Sequence, residues 1–310
     1  MAKWKWLIVA GAMMAQVAWA RPLFIGVLPA ADSIVLEVAA DEGLFAKEGL
    51  DVKTVPFKSA LEIGAAMRAG RLDGHFGDLM NVLTQNATGV PQTIVVTTTH
   101  TSSAQRAFAL VVSPKKSQTI RQLSDLKETP TAMSASTIID YLLARMKETE
   151  HLPEGALKNV EVRQIPIRLQ MLLAGQVETA LLPEPLVTVV QKRGGRVIWD
   201  DTRLNEPLAV VALAKKAATP EVVRGFKKAV AAAADLIEAS PEKYRVLMVR
   251  KKLLPSAAAS DYQMVRFSLF GREDGLPPLP TAEDVERVGQ WMRQKGMISS
   301  IPSVVDVVTP

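Results

Sequence analysis

From Phe24 onward the chain alternates short apolar runs with stretches whose apolar residues recur at helical spacing. Residues 24–28 form a β-type run closed by Pro29. Asp32 and Ser33 then stand where a helix N-cap belongs, and Ile34, Val35, Val38, Ala39 and Leu44 continue along one helical face. Gly43 and Gly49 punctuate its end, and residues 50–57 alternate as a strand. Ser59-Ala60-Leu61-Glu62 reads as a capping box that opens a helix stopped by Gly70, and residues 72–76 are a third strand.

The second half replays this order. Residues 131–133 are a short strand, and Ser136-Thr137 caps a helix carrying Ile138, Ile139, Leu142, Leu143 and Met146. Residues 160–166 (VEVRQIP) match residues 50–56 (LDVKTVP) in character at an offset of 110. After an intervening helix, Ala174-Gly175-Gln176-Val177-Glu178 mirrors Ala69-Gly70-Arg71-Leu72-Asp73 at 105, and Ala135-Ser136-Thr137-Ile138 mirrors Ala31-Asp32-Ser33-Ile34 at 104. Two copies of one β-α-β-α-β unit follow, each with a largely parallel sheet, so the chain reads as α/β with two similar lobes. Runs at 93–99 and 107–112 lead into the second lobe, and the run at 208–213 leads back. From Pro220 the chain is mostly helical, over 222–239, 241–252 and 282–295, with a Pro/Gly-rich break at 275–280. This tail is expected on the first lobe and the hinge. The division is therefore 1–20, 21–111, 112–207 and 208–310.

The first twenty residues are an address rather than part of the fold. Lys3 and Lys5 precede an apolar run at 6–17, and Ala18-Trp19-Ala20 places small residues where a signal peptidase cuts. The run is shorter than the roughly 20 residues needed to span a bilayer. Cleavage takes Lys3 and Lys5 and no acid, which moves the net charge from +5 to +3, too weak for a nucleic-acid partner. With no cysteine, the chain has no disulfide framework, thiolate metal site or catalytic thiol.

Catalytic patterns are missing as well. His75, His100 and His151 are widely spaced; His75 reads as packed in a strand, His151 as a surface loop, and His100 can face a cleft. No nucleophile elbow, phosphate loop or dinucleotide fingerprint occurs. Asp41-Glu42, Lys47-Glu48 and Arg250-Lys251-Lys252 read as solvated charge. Polar residues do gather at strand ends, where open α/β sheets place ligands: Asp32 and Ser33, Asp78, Ser134, Ser136 and Thr137, and Glu184 between two prolines. The two helix N-termini, at Asp32–Ser33 and at Ser134–Thr137, have N–H groups suited to an anion, while Asp78 and Glu184 each follow a strand. Asp78 and Glu184 facing one cleft would repel a bare oxyanion, which favours a zwitterion, an amine or an N-heterocycle.

The block ADEGLFAKEGLDV at 40–52, AGRLD at 69–73, Gly77-Asp78, LSDLK at 123–127 and the 170–185 stretch ending in Glu184-Pro185 resemble one family over nearly the whole mature chain. It is the substrate-binding proteins of ABC importers of the nitrate/sulfonate/taurine and thiamine-precursor type. Glu128 and Glu178 depart from its glycine and aspartate. The resemblance implies a type II periplasmic binding (Venus-flytrap) fold, a periplasmic solute receptor without lipid anchor, cofactor or metal, and an inner-membrane ABC permease as partner to a monomer. It places Ser33, Asp78, Ser134, Ser136, Thr137 and Glu184 near the ligand, with Asp32, Met80 and Thr99 beside them. The alternatives are a ligand sensor for a membrane signalling partner and a thiamine-pyrimidine-synthase-like enzyme, whose cysteine-rich loop this chain lacks.

Overall fold

A computed structural model describes residues 21–270 and 276–310. The expected leader at 1–20 and the first residue of the break at 275 lie outside the described residues. The chain forms β1 (Leu23–Val27), α1 (Ile34–Asp41), the single turn α2 (Leu44–Lys47), β2 (Val52–Pro56), α3 (Ala60–Arg68), β3 (Gly74–Gly77), α4 (Leu79–Ala87) and β4 (Gln92–His100). It crosses into β5 (Phe108–Val112), β6 (Thr129–Met133), α5 (Ile138–Thr149), β7 (Leu157–Glu161), α6 (Ile165–Ala174), β8 (Thr179–Pro183), α7 (Leu186–Lys192) and β9 (Arg196–Asp200). Then follow β10 (Pro207–Ala214), α8 (Pro220–Ala239), α9 (Pro241–Arg250), α10 (Ala282–Gln294) and α11 (Val304–Val307).

The strands make two five-stranded sheets, ordered β2-β1-β3-β10-β4 and β7-β6-β8-β5-β9. In each, one strand, β10 or β5, runs against the other four. β5, across which the expected division at 111/112 falls, pairs with β8 and β9. The two halves superpose in sequence at one spacing. β7 starts at Leu157, 105 residues after Val52; β8 starts at Thr179, 105 after Gly74; α6 starts at Ile165, 105 after Ala60. The match at 110 was therefore misplaced by about one helical turn. Pro56 ends a strand, whereas Pro166 sits in the first turn of α6, where a missing N–H costs nothing. The Ala-Gly turns do correspond: Gly70 and Gly175 both adopt the left-handed conformation, φ 65° and 71°, that ends α3 and α6.

Apolar faces explain the layering. α1 and α8 cover one side of the first sheet, with the Phe45 and Phe226 ring centroids 5.0 Å apart. Fully burying a side chain of that size contributes roughly 1.5–3 kcal/mol. α4, α5 and α10 share a second core that runs under both sheets, where Tyr141 of α5 meets Trp291 of α10 edge to face. The tail thus reaches the second lobe as well as the first. A buried carboxylate fastens this junction. Glu206, 1% exposed, accepts hydrogen bonds from Tyr141 Oη, Arg145 Nε and the Arg287 guanidinium at 2.9–3.2 Å. Asp41, Lys47, Glu48, Arg250 and Lys252 are exposed as expected, and several of these surface charges also pair: Lys251 with Glu37 and Asp41, and Arg250 with Asp41, which together with Lys243 on Glu42 clamp α9 to the end of α1.

Candidate functional site

The ends of β1, β3, β6 and β8 face one another across a cleft bounded by the two crossings, β4 to β5 and β9 to β10. Among the described residues, hydrogen bonds span it alongside the Lys192–Asp261 ion pair. Ala31 N–H donates to Glu184 O (2.9 Å), Ile165 N–H to Lys58 O (3.1 Å), Ile138 N–H to Asp78 Oδ2 (3.1 Å) and Gln164 Nε2 to Glu62 Oε1 (3.0 Å). Two compartments remain. The small one, about 60 Å³, lies between Gly77, Asp78, Ser134, Thr137 and Ile138, with room for a few waters. The large one, about 510 Å³, lies against the first crossing and includes Thr99, Arg106, Glu184, Gln191 and Tyr262. Its size is that of an ordinary small-molecule pocket. Asp32, Phe108 and Pro183 border both.

The structure sorts the nine expected site residues. Asp78, Ser134 and Thr137 border the small compartment, Thr99 and Glu184 the large one, and Asp32 both. Ser33, Met80 and Ser136 border neither. Ser33 and Met80 are both 1% exposed, and Met80 belongs to the core beneath the sheets. Ser136 is exposed and holds a left-handed backbone, φ 61°. Thr137 caps α5 as expected, through Ile139 N–H (3.2 Å), and Asp78, expected only at the end of its strand, caps α4 through Asn81 N–H (2.7 Å). Each such cap contributes about 1 kcal/mol.

Asp32 and Ser33 do not cap α1. The Ser33 hydroxyl turns back to Ala30 O (2.8 Å), and Asp32 reaches sideways to β4, where its Oδ2 accepts from Thr98 Oγ1 (2.6 Å) and Thr99 Oγ1 (2.5 Å). Adjacent residues of a strand normally face opposite ways. Here Ala209 pairs with Thr99 but Val210 with Thr97, so Thr98 is the extra residue of a bulge and both hydroxyls swing to one side. Burial pushes the Asp32 carboxyl up, and the two threonine hydroxyls pull it part of the way back.

The N-termini of α4, α5 and α7 are already occupied by carboxylates of the chain, which corrects the expected availability of the α5 terminus to an anion. At the start of α5, Ala135 N–H donates to Glu161, Ser136 N–H to Asp140 and Ile138 N–H to Asp78. Asp78 thereby bridges α4 and α5, and burial raises its pKa while those two backbone N–H groups lower it. Glu184 caps α7, accepting from Thr188 N–H (3.1 Å) and Thr188 Oγ1 (2.9 Å), and its other oxygen takes Arg106 Nε at 2.8 Å.

Sequence reasoning found no arginine here, yet three are present. Arg106 is gripped by Glu184 and, through a second nitrogen, by Gln191 Oε1 (2.6 Å). Arg163 pairs with Glu161, and the buried Arg168 turns its donors to the carbonyls of Val162 and Leu181. Burial lowers the Arg168 pKa to about 10, so it stays charged at neutral pH. Tyr262 was missed too; burial, then the charges of Glu184 and Asp32, hold its phenol well above the usual value, so it keeps its proton. Arg106 lines the compartment with Gln105, Gln191 and Gln263, and no spacing in the sequence joins them. His75 is fully buried with Nε2 at 2.7 Å from Gln92 Oε1, and burial lowers its pKa, so it is a neutral packing group. His100 borders neither compartment, its Nδ1 lying 3.1 Å from Thr101 O.

Two lobes, each a five-stranded sheet with one reversed strand, joined by two crossings beside an inter-lobe cleft, define the type II periplasmic binding fold. The chain belongs to the NMT1-like family, whose model matches residues 19–249. Among solved structures it is similar to the alkanesulfonate-binding protein SsuA from Xanthomonas axonopodis pv. citri bound to MOPS, at 18% identity and TM-score 0.76, covering 94% of this chain and 99% of that one. It is also similar to the periplasmic aliphatic sulphonate-binding protein SsuA from Escherichia coli, at 18% identity and TM-score 0.72, covering 92% and 96%. The periplasmic nitrate-binding protein NrtA from Synechocystis PCC 6803 matches at 13% identity and TM-score 0.59, covering 74% of this chain and 66% of that one. No curated protein sequence matches this chain.

Proposed function

We propose that this protein is the solute-binding component of an ABC importer, exported to the periplasm through its leader and acting there as a free monomer. It captures a small polar organic molecule between its lobes and presents the closed form to an inner-membrane permease, with no cofactor, metal or chemical step. The observation that carries this reading is the cleft itself. Backbone and side-chain hydrogen bonds from both lobes meet across it and leave an organic-sized compartment between them. A ligand that touches both lobes stabilises the closed arrangement by its differential affinity.

The ligand is a zwitterion, an amine or an N-heterocycle rather than a bare oxyanion. Asp78, Asp140, Glu161 and Glu184 already fill the helix N-termini that an oxyanion would use. Purification without refolding followed by native mass spectrometry tests the proposal. A co-purified small molecule is expected, and adding it back to stripped protein should raise the melting temperature by mass action and shrink the radius of gyration. Absence of any response across small-molecule classes would sink the reading.

A further inference from the structure

Within the large compartment the charges do not balance. Its two cations are each engaged by chain acids, Arg106 by Glu184 and Lys192 by Asp261. Asp200 accepts from Thr202 Oγ1 at 2.6 Å. Asp32 remains. It is 8% exposed, borders the compartment, and among the described residues makes no ion pair. Both hydroxyls that reach it land on the same oxygen, Oδ2. Tyr262 stands close enough to Asp32 and Glu184 for both charges to act on its phenol, whose proton can serve as a donor but supplies no countercharge. A carboxylate withdrawn from water without a cation is costly, and a group that brings one recovers much of that cost.

We propose that Asp32 is the seat for a cationic nitrogen of the solute, held between the Thr98–Thr99 bulge and the Tyr262 ring. This rests on the solute-binding reading and selects among its ligand classes: the solute carries a protonated amine or amidinium. The bulge gives the position its geometry, because two hydroxyls on Oδ2 orient the carboxylate and leave Oδ1 as the acceptor for the ligand. Arg106, clasped by Glu184 and Gln191, does not move in to neutralise it.

The test uses the full mature chain, stripped of co-purified solute, with 1-propylamine, 1-propanol and propionate as matched probes in calorimetric titration and thermal melts. The amine should bind and raise the melting temperature, while the alcohol and the carboxylate leave it unchanged. Asp32→Asn, which keeps an acceptor for the threonines, should weaken the amine roughly 10- to 100-fold, the range for a hydrogen bond to a charged group. Should that variant misfold, the wild-type ranking and a Thr99→Val variant still decide, since loss of one orienting hydroxyl should weaken the amine several-fold. A response to propanol or propionate without one to propylamine overturns the inference and leaves the solute-binding reading intact. An equal amine response in Asp32→Asn also overturns it. No response to any probe, together with a co-purified solute lacking a basic nitrogen, counts against the cationic seat alone.

Discussion

The small and large compartments share Asp32, Phe108 and Pro183, yet they handle buried charge in opposite ways. In the small one, Asp78 is shared between two helix N-termini and Arg168 is held by backbone carbonyls, so the chain completes its own hydrogen bonds. Among the described residues neither carboxylate has a cation, but Asp78 takes a backbone N–H on each oxygen, whereas Asp32, at the edge shared with the large one, has its two hydroxyl donors on Oδ2 alone. The difference separates two jobs. Where the chain satisfies both oxygens, the cleft gains a seam that joins the lobes; where it leaves one oxygen without a donor, the proposed seat for a ligand opens.

The largest expected effect comes from a third carboxylate, at the second crossing. Asp201 is fully buried, and its Oδ1 accepts from Ala107 and Phe108 N–H at 3.0 and 3.2 Å while its Oδ2 has no partner. Burial pushes its pKa up to about 7, against the pull of those two N–H groups. A folded pKa above the unfolded one gives stability that is complete below about pH 4 and is lost as pH rises toward 7. Asp201→Asn should flatten that slope and exceed the parent at pH 8 by on the order of 3 kcal/mol in urea denaturation. A variant that tracks the parent at both pH 5 and pH 8 would show that Asp201 is ionised throughout.

Next in size, Asp78→Ala should cost about 2 kcal/mol, from a lost cap and an orphaned Ile138 N–H. It should also convert the self-satisfied compartment into one that takes sulfate, seen as a new sulfate-dependent rise in melting temperature. Arg106→Gln leaves Glu184 nearly buried with only α7 donors. A loss of about 1–2 kcal/mol is expected in denaturant melts, without the sulfate response. The smallest effect, about 1 kcal/mol or less, belongs to Thr98→Val, which removes one of the two hydroxyls on Asp32. If Thr98→Val cost as much as Asp78→Ala, the two compartments would not differ in the way described.

Much of this fold was legible because its signals are local. Strands ending before a cap, helices ending at Gly70 and Gly175, and the Thr137 cap each depend on a few neighbouring residues. The error at 160–166 has the same origin: an alternating run followed by proline looks alike whether proline closes a strand or opens a helix. Asp32 was placed in the site for the wrong local reason. Its partners lie 66 and 67 residues away, on a bulge defined only by how β4 registers against β10. Arg106 and Tyr262 come from segments with no periodicity, and only tertiary closure brings them together.

The strand order has a further consequence for how the chain can assemble. The slot between β3 and β4 is filled by β10, which arrives only after the whole second sheet, while β5, the strand that follows β4, fills the matching slot between β8 and β9. The second sheet is thus built from consecutive strands, β5 to β9, while the first is completed only by a strand that arrives after it. A chain ended after β9 would leave the first sheet split in two, with β4 unpaired on that side. Closing the first sheet requires pairing Val96 with Val211 and Thr93 with Leu213 across more than a hundred residues. Contacts of that range make for slow folding, with the first lobe left open until Pro207–Ala214 takes its place.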